Sequence, residues 1–194
     1  MLDMSMGPVH ISSGPNSDSS LLTLSIILEV LEKNNKVIWM TRTIPDQRKI
    51  SDVFGDLDYK KLNRMIVIEF GDKLSEKIDE INSIISNLKK EDLLIIEGWC
   101  DSHGRAKSRD IKVITGLANS FENKMAIISD SYQDASGQKR GFQGFMARGG
   151  KIIEESFRTI WTSRIDNQYQ KILIVDGDKE LVAESTKNGY KMVN

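Results

Sequence analysis

The sequence predicts an α/β protein: a mainly parallel sheet flanked by helices, extended at its C-terminal end by antiparallel β structure. Three observations predict it. Short apolar runs rich in β-branched residues alternate with stretches of helical periodicity as far as Asp130, the pattern of successive βαβ units. Residues 92–97 (DLLIIE) have a continuous apolar centre, as a strand covered on both faces does. Beyond Gly150 the helical patterns give way to alternating runs separated by Asp176-Gly177-Asp178 and Asn188-Gly189, which are turn signals.

Taken in order, residues 9–12 read as the first strand and 13–20 (SGPNSDSS) as a turn-rich loop. Residues 21–33 carry the broad apolar face of a helix, stopped at Asn34-Asn35, where Asn tolerates a left-handed cap. Residues 36–40 are the second strand. Residues 41–63 are mixed, with Pro45 and Gly55 as breakers around a short helix. Residues 64–70 are the third strand. The clearest helix is 72–89, with Leu74, Ile78, Ile81, Ile84, Ile85 and Leu88 at helical spacing. Residues 92–97 are the fourth strand, 108–121 an amphipathic helix and 124–129 (KMAIIS) the fifth strand. Residues 131–150 show little periodicity and hold five glycines, which reads as a long functional loop. Residues 152–157 suit a strand or a helix; 158–163, 170–175 and 181–186 read as strands.

Bulk properties bound the function. The 194 residues suit a single domain, 1–194, and 39% hydrophobic with 28% charged residues is an ordinary globular balance. No apolar run approaches the roughly 20 residues of a membrane span. Residues 1–7 lack the basic start and apolar stretch of a secretory signal. The single cysteine, Cys100, cannot form an internal disulfide, so a cytoplasmic location is expected. A net charge of -1 argues against a nucleic-acid binder that uses its whole surface, though not against a local basic patch. Two histidines and one cysteine, far apart, give no metal site.

A strand, a Gly-Pro loop and a helix are the layout of a phosphate-binding loop. Such a loop needs glycines for close backbone approach, a lysine for the β/γ-phosphates and a Ser or Thr for Mg²⁺. Here the chain resembles the RecA recombinase superfamily, which carries Gly-Pro-x-x-x-Gly-Lys-Thr at this place. This sequence reads Gly14-Pro15-Asn16-Ser17-Asp18-Ser19-Ser20-Leu21. Gly14 and Pro15 match. Ser19 stands for the second glycine, Ser20 for the lysine and Leu21 for the magnesium hydroxyl, while Asp18 adds negative charge where a triphosphate would sit. The bare reading of the residues is a helix-capping loop, with Asp18 or Ser19 as N-cap. Losing the lysine removes a charge-assisted contact of roughly 1.5–3 kcal/mol.

Other positions follow. The resemblance implies a catalytic Glu just after the second strand; residues 39–43 (WMTRT) contain no acid. It implies an Asp ending the fourth strand; Glu97 stands there. It implies a polar sensor after the fifth strand, where this chain has Asp130-Ser131. The nearest kin within the resemblance are the archaeal RadA/RadB recombinases and their paralogs. Residues 146–153 (MARGGKII) resemble the Gly-Gly segment after their second DNA-binding loop. The region 158–192 resembles their closing β strands. The helix-hairpin-helix domain that precedes many such cores has no counterpart here.

Cations collect where the family binds DNA, after the fourth and fifth strands. The first loop holds His103, Arg105, Lys107, Arg109 and Lys112. The second holds Lys139, Arg140, Arg148 and Lys151, with Tyr132, Phe142 and Phe145 among them. Cations pair with phosphates and aromatics stack on unpaired bases. Phe142 and Phe145, three apart, also suit a docking face. His10 in the first strand reads as a buried structural histidine and Cys100 as a packed thiol. Glu97 and Asp101 are expected at one strand end as remnants or polar contacts. Trp39 and Trp161 read as core, and Trp99, just past a strand, as a contact residue.

The resemblance therefore implies a recombinase paralog with no catalytic residue, no metal and no ATP/Mg cofactor. It implies an accessory factor in recombination or repair whose partners are single-stranded DNA, a RadA-type recombinase or another paralog, with no membrane. Two alternatives stand beside it. One is a structural RecA-fold subunit, as in the Elongator accessory ring, which contacts tRNA. The other is an atypical ATPase using Glu97 and Arg42.

Overall fold

The computed structural model describes residues 2–133, 141–165 and 168–193. Its centre is a nine-stranded sheet in the order β11-β10-β9-β8-β1-β5-β4-β2-β3. Strands β1 (Val9–Ser13), β2 (Val37–Thr41), β3 (Met65–Glu69), β4 (Leu93–Glu97), β5 (Lys124–Asp130) and β8 (Arg158–Ile165) run parallel. Strands β9 (Gln168–Asp176), β10 (Lys179–Thr186) and β11 (Gly189–Val193) continue the sheet as an antiparallel meander. The mainly parallel sheet and the antiparallel extension both match the expectation. The Asp-Gly and Asn-Gly turns join β9 to β10 and β10 to β11.

The alternation of side chains along the central strands builds two cores. Val9, Ile11, Trp39, Leu93, Ile95, Ala126 and Ile128 face α1 (Ser19–Glu32) and α2 (Gln47–Phe54). Ile38, Met40, Leu94, Ile96, Met125 and Ile127 face α4 (Leu74–Ile85), α5 (Ser108–Ser120) and α6 (Gly150–Ser156). All five residues of β1, β2 and β4 are buried; β2 and β4 are apolar up to their last residues, Thr41 and Glu97, whereas β1 buries His10, Ser12 and Ser13. The meander completes the first core, where Ile172, Ile174, Ala183 and Tyr190 pack with α1 residues such as Leu24 and Ile27. The Tyr190 N–H donates to Ser25 Oγ at 2.7 Å, fixing β11 against the helix.

Several elements differ from the sequence reading. Helix α1 begins at Ser19, because the Asp18 side chain caps it by accepting the Leu21 N–H at 3.0 Å. The mixed stretch holds two helices, α2 and the single turn α3 (Tyr59–Leu62), capped by Asp46 and Asp58. Helix α4 stops at Ile85, and the chain turns through Ser86 while Leu88 still packs on the core. The ambiguous stretch 152–157 is resolved as α6. Strand β3 is the edge of the sheet, and Ile66 and Val67 are exposed there at 42% and 39%. A β-branched run reads alike at an edge and at a centre. Within 131–150 a two-residue ladder pairs β6 (Tyr132–Gln133) with β7 (Phe145–Met146). Among the described residues no helix is long and apolar enough to cross a membrane.

Candidate functional site

The C-terminal ends of the parallel strands, where open α/β sheets place their ligands, carry the candidate site. The first wall is the loop after β1. Gly14 N–H donates to the Thr162 carbonyl of β8 at 2.7 Å, and a Cβ at this position would lie 2.8 Å from that oxygen. Glycine is required by proximity to β8. Ser17 closes the turn: its N–H and its hydroxyl both donate to the Gly14 carbonyl, at 3.2 and 2.6 Å. The loop then enters α1 through Asp18. The Asp18 carboxylate also takes the ammonium of Lys49, from α2, at 2.8 and 3.0 Å. The head of α1 therefore already holds an anion, supplied by the chain itself.

Glu97, at the end of β4, is the second element. It is only 7% exposed. Ser20 Oγ donates to it at 2.8 Å, Trp39 Nε1 at 3.1 Å and Thr41 Oγ1 at 3.4 Å. Burial pushes its carboxyl above the ordinary carboxylate range, opposed by these hydrogen bonds. The hydroxyl facing the β4 carboxylate thus comes from Ser20, one residue before the position the motif alignment gives it. Leu21 instead packs against the first core.

Arg42, just past β2, is the third element. Its Nε donates to the Gly98 carbonyl at 2.8 Å, and its Nη1 pairs with Asp72 at 2.7 Å and Asp101 at 2.8 Å. Asp101 is therefore taken up by Arg42 and Glu97 by hydroxyl and indole donors; the two acids do not share a partner. Between them opens a cavity of about 490 Å³, lined by Arg42, Glu97, Asp101, His103, Ser129 and Asp130 among others.

Behind this cavity His10 is fully buried and shares a 2.8 Å hydrogen bond with Ser129 Oγ. Burial alone holds its imidazole down to about 3, so it is neutral, a structural group as expected. Burial also pushes the Cys100 thiol up to about 12, which makes it inert as a nucleophile. Trp99 corrects the sequence reading. It is fully buried in the second core, edge-on to His10 at 6.0 Å. Gly98 takes φ +66°, and the chain turns the indole inward instead of presenting it to a ligand. Trp39 is core as expected; Trp161 is half-buried and stacks on Phe142 at 5.7 Å.

The expected nucleic-acid residues divide. Arg105, Lys107, Arg109 and Lys151 are exposed. Lys107 lies 3.9 Å from Asp72, Arg109 3.6 Å from Glu76 and Lys151 3.5 Å from Glu155, so each has an acid nearby. Arg148 is not a surface cation. It is 6% exposed and its guanidinium is spent on the carbonyls of Asp130, Gly104 and Ser102. Phe142 and Phe145 are half-buried, bridged to each other through their backbones. Lys139 and Arg140 lie outside the described residues. Among the described residues no cluster of His, Cys, Asp or Glu is placed to hold a metal ion. Sequence reasoning missed Lys49 and the buried course of Arg148. A lysine 31 positions from its acid leaves no signal in spacing.

No family model matches this chain, and no curated protein matches it by sequence. Its fold does match solved structures. It is similar to the RadB recombinase at a TM-score of 0.69 and 12% identity, over 97% of this chain and 91% of that one. It is similar to a KaiC-like protein from the hyperthermophilic archaeon Pyrococcus horikoshii OT3 at a TM-score of 0.67 and 14% identity, over 97% and 89%. A DnaB-like replicative helicase gives a TM-score of 0.67 at 8% identity, over 98% of this chain and 58% of the helicase. The chain has the RecA-like fold.

Proposed function

We propose that this protein is a RecA-fold accessory factor that neither binds nor hydrolyses Mg-ATP and that acts on a recombinase or on single-stranded nucleic acid. The observation that carries the reading is the Asp18 carboxylate at the head of α1, neutralised by Lys49. A triphosphate binds at such a helix start because unpaired N–H groups and a lysine await it. Here the Leu21 N–H and the nearby lysine both serve Asp18, and the residue aligned with the phosphate-gripping lysine is Ser20. A triphosphate is a poor fit to that loop. Without ATP, the use left to the fold is binding. The exposed cations after β4 and on α6, together with the RadB and helicase likeness, support a DNA-processing setting.

Titration calorimetry with Mg-ATP tests the first half: no saturable heat is expected, and stoichiometric micromolar binding would refute it. Affinity purification from the native cell tests the second, with a RadA-type recombinase or another paralog expected among the captured proteins. The Lys139→Ala, Arg140→Ala double variant is expected to bind single-stranded DNA more weakly, with a flatter salt dependence. Equal binding at all salt concentrations contradicts the DNA contact.

A specific contact favours a second reading, an atypical ATPase. The Ser20 hydroxyl and Glu97 face one another at 2.8 Å beside the Arg42 cavity, a pairing of the kind that supports a magnesium ion elsewhere. Turnover of Mg-ATP that is abolished in Glu97→Gln would establish it.

A further inference from the structure

An open sheet has two edges, and an uncovered edge is a template for another strand. At one edge α1 guards β11: the Tyr190 N–H donates to Ser25 Oγ at 2.7 Å, and a Cβ on Gly189 would lie 2.5 Å from that same oxygen. At the other edge β3 pairs only with β2. The Arg64 carbonyl accepts from the Val37 N–H, and the Phe70 N–H donates to the Thr41 carbonyl, so the even-numbered residues of this stretch bond β2. Strand alternation turns the N–H and C=O groups of Met65, Val67 and Glu69 the other way, outward from the sheet.

The devices that usually close an edge are missing from β3. Its residues, Met65-Ile66-Val67-Ile68-Glu69, include no lysine, proline or glycine, and its register with β2 runs without a bulge. Met65 packs toward the first core and Ile68 toward the second, so Val67 shares the face of α2 and Ile66 the face of α4. Both Val67 and Ile66 are exposed, so the helices of neither face reach over the edge. Charge stands only at the two ends. Arg64 precedes the strand and Glu69 closes it; both are exposed, and neither is in an ion pair among the described residues.

We infer that β3 is a self-complementary edge on which a second copy of this chain docks, strand antiparallel to strand, about a two-fold axis at Val67. In that register Val67 lies opposite Val67 of the second copy, and Ile66 opposite Ile68 in both directions, because Ile-Val-Ile reads alike from either strand. The directly opposed residues that exchange hydrogen bonds are then Val67 with Val67 and Met65 with Glu69, the same residues whose backbone groups point outward. The Arg64 end of each copy meets the Glu69 end of the other. A parallel arrangement would set Arg64 beside Arg64 and Glu69 beside Glu69. A strand of another protein would have to reproduce this apolar centre with opposite charges at its ends; a second copy supplies it by symmetry. The inference does not depend on the accessory-factor reading.

The test uses the full chain. Sedimentation velocity over a concentration series is expected to show a reversible monomer–dimer equilibrium. Val67→Lys sets like charges opposite one another on the axis and is expected to weaken dimerisation at least about tenfold. Arg64→Glu alone and Glu69→Arg alone each bring like charges together and are expected to weaken it; the double reversal restores opposite ends and is expected to recover it. Hydrogen exchange of the wild type needs no variant: protection of the Val67 amide is expected to rise with protein concentration. A wild type still monomeric at about 0.5 mM overturns the inference, even if another protein is found to bind β3. So does dimerisation unchanged in Val67→Lys, a double reversal that fails to recover it while unfolding at the wild-type midpoint, or a Val67 amide whose exchange ignores concentration.

Discussion

The ammonium of Lys49 lies 2.8 Å from one carboxylate oxygen of Asp18 and 3.0 Å from the other, while one of those oxygens also accepts the Leu21 N–H. A single carboxylate thus caps α1 and ties α2 to it. The two roles separate by mutation. Asp18→Ala removes both and is expected to destabilise the protein by about 1 kcal/mol or somewhat more, mostly through the cap. Lys49→Ala removes only the half-exposed ion pair, and at most about 1 kcal/mol is expected. Urea denaturation of both variants measures the difference. An effect of Lys49→Ala exceeding that of Asp18→Ala contradicts the assignment.

Ser20→Lys restores the cation at its aligned position and is expected to give no ATP hydrolysis. Asp18 still occupies the helix start, and residues 39–43 still offer no acid to orient water. A coupled phosphate-release assay checks it. Measurable turnover in the single variant contradicts the role given to Asp18.

Glu97 links stability to pH through its raised carboxyl. The unfolded chain loses this proton near 4.5, the folded one only at higher pH. Its contribution is complete below 4.5 and is lost as pH rises through the folded value. Glu97→Gln cannot ionise. The stability difference between the two proteins is expected to move in favour of the variant as pH rises above 4.5, measured by urea titration at a series of pH values. A difference independent of pH argues that Glu97 ionises as freely in the fold as outside it.

His10 has the opposite sign. Folded, its value is held down to about 3, against 6.5 for an unperturbed histidine. Its contribution is complete above 6.5 and is lost as pH falls toward 3, with a slope approaching about 1.4 kcal/mol per pH unit. The advantage of the wild type over His10→Gln should shrink along that interval. Imidazole chemical shifts that titrate near 6.5 in the folded protein would refute it.

How much of this was legible in the sequence depends on how local the cause was. The buried runs of β2 and β4 and the centre of β5 announced themselves, because a strand covered on both faces is mostly apolar. The same logic misleads for β3, whose composition is equally apolar although Ile66 and Val67 meet solvent. Trp99 looked like a contact residue by its place after a strand, but the left-handed turn at Gly98 carries it inward. The Glu97 position was readable from strand order. Its donors were not, since Trp39 and Ser20 reach it from 58 and 77 residues away. Arg148 looked like one more loop cation because a buried guanidinium satisfied by carbonyls has no sequence signature.

The packing of the meander onto α1 has a consequence for biogenesis. Gly14 is clasped by Thr162, and Ser25 receives the backbone of Tyr190. Part of the shelter of the first helix is therefore synthesised last. A nascent chain leaving the ribosome is expected to stay incompletely consolidated until its closing strands emerge, and truncation ahead of β8 should yield an insoluble fragment instead of a smaller native unit.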